Sequence, residues 1–193
     1  MDWLTDLLDR FIADKAGRVS AAKLVAKMAT GGEAGGTAYL EACRLLGEAA
    51  DDGAELLATL DDVTDTSTLA QVGVLVVACF ATLRVDYAAR PDAVRARTAL
   101  SNRAGPVVET AGDAFGHVLY GWLSNLVGEA MLQLSQIAAT RAPLVRVETG
   151  VSLPAQLLAW DLYGDPSRDA ELVERNNTGT AMLMPVILEA LAP

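Results

Sequence analysis

Residues 153–177 contain the pattern that most constrains the fold of this chain: an apolar helical segment, a tight corner and a second helical segment. The corner reads Tyr163-Gly-Asp-Pro166. Gly164 can take the left-handed conformation that ends many helices, because glycine has no Cβ to clash there. Asp165 can accept hydrogen bonds from the free N–H groups of the next helix, and Pro166 suits its first position because no N–H is needed there. The pattern predicts two short helices joined at residue 164.

The second predicted helix runs through Ala170, Leu172 and Val173 and ends at Asn176-Asn177. Asparagine adopts a positive φ more readily than most residues, so this pair suits the end of a helix. We expect the apolar residues of the first helix to lie mostly in the core, namely Leu157, Leu158, Trp160, Leu162 and Tyr163.

Short segments with strand character flank the two helices. Pro143 ends the preceding helical part, and Leu144-Val-Arg-Val147 has the side-chain alternation of a short strand. Val186-Ile-Leu188 is a suitable partner for it. The order strand, helix, helix, strand over residues 144–193 resembles that of a LysM domain. The resemblance implies a small C-terminal α+β domain.

A wider resemblance covers residues 90–193, which are similar to the C-terminal part of the phage Mu-like N proteins, the DNA circularisation or tail protein family. The matching pieces are Arg97-Thr-Ala-Leu100, Leu119-Tyr120, Gly121-Trp-Leu123, Arg141-Ala-Pro143, Leu144-Val-Arg-Val147 and residues 153–177. The chain departs from the family where Met182-Leu-Met-Pro185 leads straight into Val186-Ile-Leu-Glu189, because the family has a Pro-Gly-Gly-type turn there. The β-rich N-terminal domain typical of the family has no counterpart here, so nothing about that domain carries over.

The family resemblance implies a structural role. The chain would be a non-enzymatic component of a phage or phage-like contractile tail, near the baseplate hub or tube end. Its family is implicated in circularising or protecting injected DNA. The expected partners are other tail or baseplate proteins and further copies of the chain. The expected location is the virion tail, after assembly in the cytoplasm of the bacterial host. One alternative is a protein with a peptidoglycan-binding LysM module. The other is a monomeric small-molecule or regulatory helical domain.

The resemblance also supplies a candidate binding site, the corner where LysM domains bind glycan. On this sequence its residues are Tyr163, Gly164, Asp165, Pro166, Arg168 and Asn176. Their residue types favour capping and turning over sugar recognition. A helix-turn-helix DNA reader has a similar outline, but Asp169, Glu171 and Glu174 on the second helix would repel phosphate.

The charge balance disfavours direct nucleic-acid binding. The chain carries 25 acidic against 15 basic residues, with a net charge of −10, whereas proteins that grip phosphates need clustered lysine and arginine. Hydrophobic residues make up 52 % of the 193 residues, so we expect a packed core. Aromatic residues are only 5 % and alanine is common, which favours helices over sheets.

The rest of the chain is predicted to be helical, which makes the fold class mainly α. We expect an N-terminal helical region at 1–63, a long-helix region at 64–143 and the LysM-like domain at 144–193. The spacing of five apolar residues predicts one buried helical face, formed by Leu4, Leu7, Leu8, Phe11 and Ile12.

Glycines and prolines indicate breaks within these regions. Thr30-Gly-Gly-Glu-Ala-Gly-Gly36 is predicted to be a loop, but not a phosphate-binding one, because no Gly-Lys-Ser/Thr follows it. Pro106 is predicted to open a long helix that runs to about residue 142. This helix would contain four glycines, Gly112, Gly116, Gly121 and Gly128. Because glycine disfavours helix interiors, they indicate close helix–helix approach or one break.

The apolar segment 69–83 is the only candidate for a membrane span. It has 15 residues and contains Gln71, whereas a bilayer needs about 20 apolar residues. We therefore expect a core helix and no membrane span.

Few residues have the chemistry that catalysis needs. His117 is the sole histidine, which removes most catalytic triads and most His-based metal sites. Cys43 and Cys79 are predicted to be buried thiols. Glu171 and Glu174 lie one turn apart and could form an acid pair, but a solvated helix face explains them better. No cofactor fingerprint is present, so we expect a non-enzyme with neither metal nor cofactor.

Overall fold

The computed structural model describes residues 2–192, so Met1 and Pro193, the ends of the predicted first and last regions, lie outside the described residues. The helices are α1 (Asp2–Phe11), α2 (Lys15–Met28), α3 (Gly32–Ala49), α4 (Gly53–Asp61), α5 (Thr68–Thr82), α6 (Arg90–Phe115), α7 (His117–Thr140), α8 (Ala155–Tyr163) and α9 (Asp169–Arg175). The strands are β1 (Leu144–Glu148) and β2 (Ile187–Leu191), and a short 3-10 helix, Pro166–Arg168, precedes α9. The predicted mainly helical class is confirmed, with a two-stranded antiparallel sheet near the C-terminus.

Packing divides the chain into two compact units. Unit 1 comprises Met1–Asp86 and Val94–Gln136, and unit 2 comprises Tyr87–Ala93 and Ile137–Pro193. The units interleave in sequence, because the first residues of α6 and the last residues of α7 belong to unit 2. The strand pair and the helices α8 and α9 lie wholly in unit 2.

Helix α1 buries the apolar face that its spacing predicts. Four residues of the helix, and Ile12 directly after its end, are each at most 8 % exposed: Leu4, Leu7, Leu8, Phe11 and Ile12. Burial of a large apolar side chain contributes roughly 1.5–3 kcal/mol. This face therefore anchors the N-terminal helix in the core of unit 1.

Helices α3 and α5 approach each other closely in unit 1 because glycines remove side chains from their contact. A Cβ at Gly47 of α3 would lie 2.6 Å from the Cβ of Phe80 and 2.8 Å from the carbonyl oxygen of Val77 on α5. Gly73 of α5 leaves room for the phenol ring of Tyr39, which is only 1 % exposed. The separation of the two helices therefore depends on two residues without side chains.

Helix α5 carries the apolar segment that the sequence marks as a membrane candidate. Val72, Leu75, Val76 and Val77 are fully buried in unit 1, so the prediction of a core helix is confirmed. Within residues 2–192, no helix combines the length and the apolar character that crossing a bilayer requires.

The glycine-rich segment 30–36 is mostly helical, so the loop prediction was wrong. Helix α3 begins at Gly32, directly after Gly31 with its φ of 68°. A Cβ at Gly35 would lie 3.0 Å from the carbonyl oxygen of Met28, so glycine at this position lets α2 and α3 approach closely. Tertiary packing thus outweighs the low helix propensity of glycine, which costs about 1 kcal/mol per position.

The long glycine-containing helix is broken at Gly116, between α6 and α7, where φ is 90°. The prediction that Pro106 opens this helix was wrong, because Pro106 lies inside α6. Proline deprives the carbonyl of Asn102 of its intrahelical donor, but Asn102 is exposed, so water can replace that donor. Gly112 provides the predicted close approach, since a Cβ there would lie 2.9 Å from the ring of Tyr120.

Unit 2 runs in the order β1, α8, 3-10 helix, α9, β2. The strands pair antiparallel, with Leu144 opposite Leu191 and Glu148 opposite Ile187. Both predicted strand segments therefore exist, and β2 extends further toward the C-terminus than the sequence indicates. The unit has its own hydrophobic cluster, formed by Ala155, Leu158, Ala159, Leu172, Met184, Leu188 and Ala190.

Candidate functional site

The corner between α8 and α9 has the local geometry that its sequence predicts. Gly164 is left-handed with a φ of 70°, and its N–H donates to the carbonyl oxygen of Trp160 at 2.8 Å. The carboxylate of Asp165 accepts from the N–H of Ser167 at 2.9 Å and from its hydroxyl at 2.7 Å. Pro166 begins the 3-10 helix. These bonds set the direction in which the chain enters α9.

The hydroxyl and the N–H of Ser167 both lower the pKa of Asp165, since they favour its charged form. A lowered pKa means that the cap stabilises the corner at neutral pH. Its contribution is lost as pH falls through the pKa of the folded state.

We expect Gly164→Val to lower the free energy of unfolding by about 1–2 kcal/mol, because a side chain with a Cβ resists the left-handed conformation. Nothing lies within 4 Å of the position of the added Cβ, so the loss would come from the backbone and not from a clash. Gly164→Asn is the control, since asparagine enters this conformation more readily. Urea denaturation compares the variants, and an unchanged stability for Gly164→Val would contradict the account.

Arg168 links the two sides of the corner. Its guanidinium carbon lies 3.7 Å from the centroid of the Tyr163 ring. Two of its nitrogens donate to one carboxylate oxygen of Glu171, at 2.7 and 3.0 Å. A cation–π contact at a partly exposed position contributes about 0.5–1 kcal/mol. Arg168 is therefore held between the end of α8 and the first turn of α9.

Tyr163 connects α8 to the second strand. Its hydroxyl oxygen accepts a hydrogen bond from the N–H of Leu191 at 3.0 Å. Partial burial raises the pKa of Tyr163, and the hydrogen bond from Leu191 opposes this effect. The phenol thus joins the end of the first helix to the end of β2.

Asn176 connects α9 to β2 through three hydrogen bonds. Its Nδ2 donates to the carbonyl oxygens of Leu172 and Glu189, both at 2.9 Å. Its Oδ1 accepts from the N–H of Glu189 at 2.8 Å. The next residue, Asn177, takes the positive φ of 48° that ends the helix. The amide of Asn176 therefore pairs with the β2 backbone as a neighbouring strand would.

The corner thus uses the polar groups of its predicted site residues within unit 2. The side chains of Tyr163, Asp165, Arg168 and Asn176 all bond to neighbouring residues of the unit, while Gly164 and Pro166 shape the backbone. These are the capping and turning roles that the residue types favour. Recognition of glycan at this corner stays a prediction.

Unit 2 exposes apolar side chains that the sequence analysis assigned to the core. Leu157 and Trp160 on α8 are 45 and 57 % exposed, whereas Leu158 is only 2 % exposed. The core prediction was therefore wrong for Leu157 and Trp160, because a short helix turns only one side toward a small cluster. Met182 and Leu183, before β2, are also exposed, at 70 and 65 %. The sequence contained a signal for this exposure, because α8 has apolar residues on every side and only one side of a helix can face a small core.

Helix α7 of unit 1 carries exposed apolar side chains, three of them on one side and Tyr120, 46 % exposed, on the other. Val118 is 74 % exposed, Trp122 is 41 % exposed and Leu132 is 54 % exposed. At 3.6 residues per turn these three side chains lie within an arc of about 80° around the helix, which they share with the exposed polar residues Asn125 and Glu129. These three residues are called the α7 face below.

The reactive residue types lie in structural surroundings. Cys43 and Cys79 are free and buried, as predicted. Burial raises the pKa of the Cys43 thiol and raises that of Cys79 to about 12, so both stay protonated at neutral pH. His117 is exposed. Glu171 pairs with Arg168, and residues 2–192 hold no group of three or more His, Cys, Asp or Glu side chains placed to bind a metal.

The fold and the corner define a mainly α-helical protein with a small strand-helix-helix-strand unit. No protein-family model matches the chain, and no curated protein was found to match it.

Proposed function

We propose that this protein is a non-enzymatic structural component of a phage or phage-like contractile tail, near the baseplate hub or tube end. In this proposal it is related to the Mu-like N proteins implicated in circularising or protecting injected DNA, and it resides in the virion tail. The observation that carries the proposal is the order β1, α8, α9, β2, with its antiparallel strand pair. This arrangement supports a LysM-like domain at 144–193, where the resemblance in sequence is sharpest.

The α7 face supports an assembly role. Protein interfaces commonly bury aromatic and aliphatic side chains at their centres and keep polar groups at their rims, and this face presents Val118, Trp122 and Leu132 beside the polar Asn125 and Glu129. The net charge of −10 disfavours direct binding to DNA. In this proposal, any effect on injected DNA is exerted through other tail proteins.

The proposed assembly role predicts a closed oligomer of the purified chain, measured by light scattering over a concentration series. The double variant Val118→Glu with Leu132→Glu should shift the mass toward the monomer, because an apolar interface disfavours unpaired carboxylates. Val19→Glu with Val94→Glu is the matched control, since it places the same two charges at valines on α2 and α6 that are 48 and 42 % exposed. A wild-type chain that is monomeric at every concentration would contradict self-assembly.

The alternative is a peptidoglycan-binding LysM module, and the exposed Trp160 favours it because an exposed aromatic ring can stack on a ligand. Calorimetric titration of the full chain with muropeptide oligomers tests this alternative. Saturable binding that is lost in Trp160→Ala and retained in Trp122→Ala would support it over the tail proposal. The absence of saturable heat would remove it.

A further inference from the structure

Unit 1 contains a cavity of about 510 Å³ that the proposed tail role does not use. The start of α3, the end of α2, the start of α5 and the α6–α7 junction surround it. Its large apolar lining residues are Met28, Leu40, Leu69, Val72, Phe115 and Leu119. Phe115 is 49 % exposed, so the cavity is reached from solvent on its side.

Glycines on α3 keep this cavity open. Gly32, Gly36 and Leu40 follow at intervals of four residues and therefore share one side of the helix. A Cβ at Gly36 would meet no atom within 4 Å, unlike a Cβ at Gly35, which would press on the carbonyl oxygen of Met28. Helix packing therefore favours glycine at 35, whereas it leaves room for a side chain at 36. Glycine at 36 still lowers helix stability by about 1 kcal/mol relative to alanine. The missing side chain leaves this part of the cavity unfilled.

The polar groups of the cavity indicate the class of ligand. The hydroxyl of Tyr39 donates to the carbonyl oxygen of Leu69 at 2.9 Å, and that of Thr37 donates to the carbonyl oxygen of Glu33 at 3.0 Å. Neither hydroxyl proton is thus free for a ligand. Glu33 carries the only charged side chain among the described lining residues, and its carboxylate disfavours an anion. The walls offer apolar contact to an uncharged molecule.

We propose that this cavity binds one small, neutral, apolar molecule. Small-molecule sites typically have volumes of roughly 300–1,000 Å³ and mainly apolar walls, and about 510 Å³ falls within this range. The space, which is open to solvent on one side, suits a molecule of two or three aromatic rings or a hydrocarbon of similar bulk.

The test uses the neutral fluorophore N-phenyl-1-naphthylamine and the full chain. We expect a saturable rise in fluorescence with one site per chain. Gly36→Leu should weaken this binding at least tenfold by filling the cavity, and the smaller Gly36→Ala should weaken it less. Gly128→Leu is the matched control, because Gly128 is also an exposed helical glycine with no atom within 4 Å of an added Cβ. Its affinity should remain within twofold of the wild type.

Three results would overturn the proposal. One is a wild-type chain without saturable binding. Another is equal affinity in the wild type and in Gly36→Leu, once circular dichroism shows that the variant is folded. If Gly36→Leu does not fold, an unchanged affinity in Gly36→Ala has the same meaning. The third is a binding capacity per chain that falls as the chain concentration rises, because a second copy would then occupy the cavity.

Discussion

Gly47→Ala should lower the free energy of unfolding by about 2–3 kcal/mol, the cost typical of overpacking a tight core. The added methyl carbon would lie 2.6 Å from the Cβ of Phe80, 2.8 Å from the carbonyl oxygen of Val77 and 3.3 Å from the N of Ala81. Two of these three atoms belong to the α5 backbone, so no rotamer change relieves the contact. Helices α3 and α5 would have to separate, and buried apolar contacts between them would be lost.

Gly128→Ala is the control for this prediction, and its effect should have the opposite sign. It makes the same chemical change inside a helix, but the added Cβ meets nothing within 4 Å. We expect it to raise the free energy of unfolding by about 0.5–1 kcal/mol, since alanine is the better helix former. Guanidinium denaturation of both variants gives the comparison. Equal effects of the two substitutions would refute the close approach of α3 and α5.

Asn176→Asp should lower the free energy of unfolding by about 2–3 kcal/mol, because it turns a satisfied amide into a carboxylate that faces two carbonyl oxygens. The amide nitrogen now donates to Leu172 and Glu189, whereas a carboxylate can only accept. The bond from the N–H of Glu189 would survive the substitution. The carbonyl oxygen of Leu172 would keep the backbone N–H of residue 176, at 3.2 Å, as a donor. Most of the loss should therefore come from the Glu189 carbonyl, which loses the amide donor, and from the repulsion between oxygens.

The same substitution should make stability depend on pH. The folded state disfavours the charged form of the introduced carboxyl, so its pKa is expected to be higher in the folded than in the unfolded chain. The penalty should then be small in acid and grow as pH rises to neutral. Asn177→Asp is the control, because it adds the same charge one residue later, at an exposed position whose left-handed φ of 48° aspartate tolerates. Chemical denaturation at several pH values tests both variants.

The corner at Gly164 was predictable because its causes are local. A left-handed residue, a capping carboxylate and a proline at the first helical position act within four consecutive residues. The partners of Asn176 and Tyr163 were not predictable in the same way. Their hydrogen bonds reach Glu189 and Leu191, 13 and 28 residues away in sequence. Only the path of β2 brings these groups together.

The sides of the helices that face the core were only partly predictable. Helix α1 has one apolar face, so its buried residues follow directly from their spacing. Helix α8 is apolar on several sides, and its spacing alone does not distinguish Leu158, which is buried, from Leu157 and Trp160, which are exposed. The unit 2 cluster is small and contacts only one side of α8, so its position determines that Leu158 is buried and the other two are not.

By itself, the sequence determined the mainly helical class, the α8–α9 corner and the two strand segments, because these depend on residues that are neighbours in the chain. Tertiary structure alone decided the roles of the glycines outside this corner. Gly35 and Gly47 permit close helix approach, Gly116 breaks a helix with a φ of 90°, and Gly36 leaves a cavity open. The physical reason is that glycine carries no side chain. The effect of the missing side chain depends on which atoms of other helices lie next to the glycine in the folded structure.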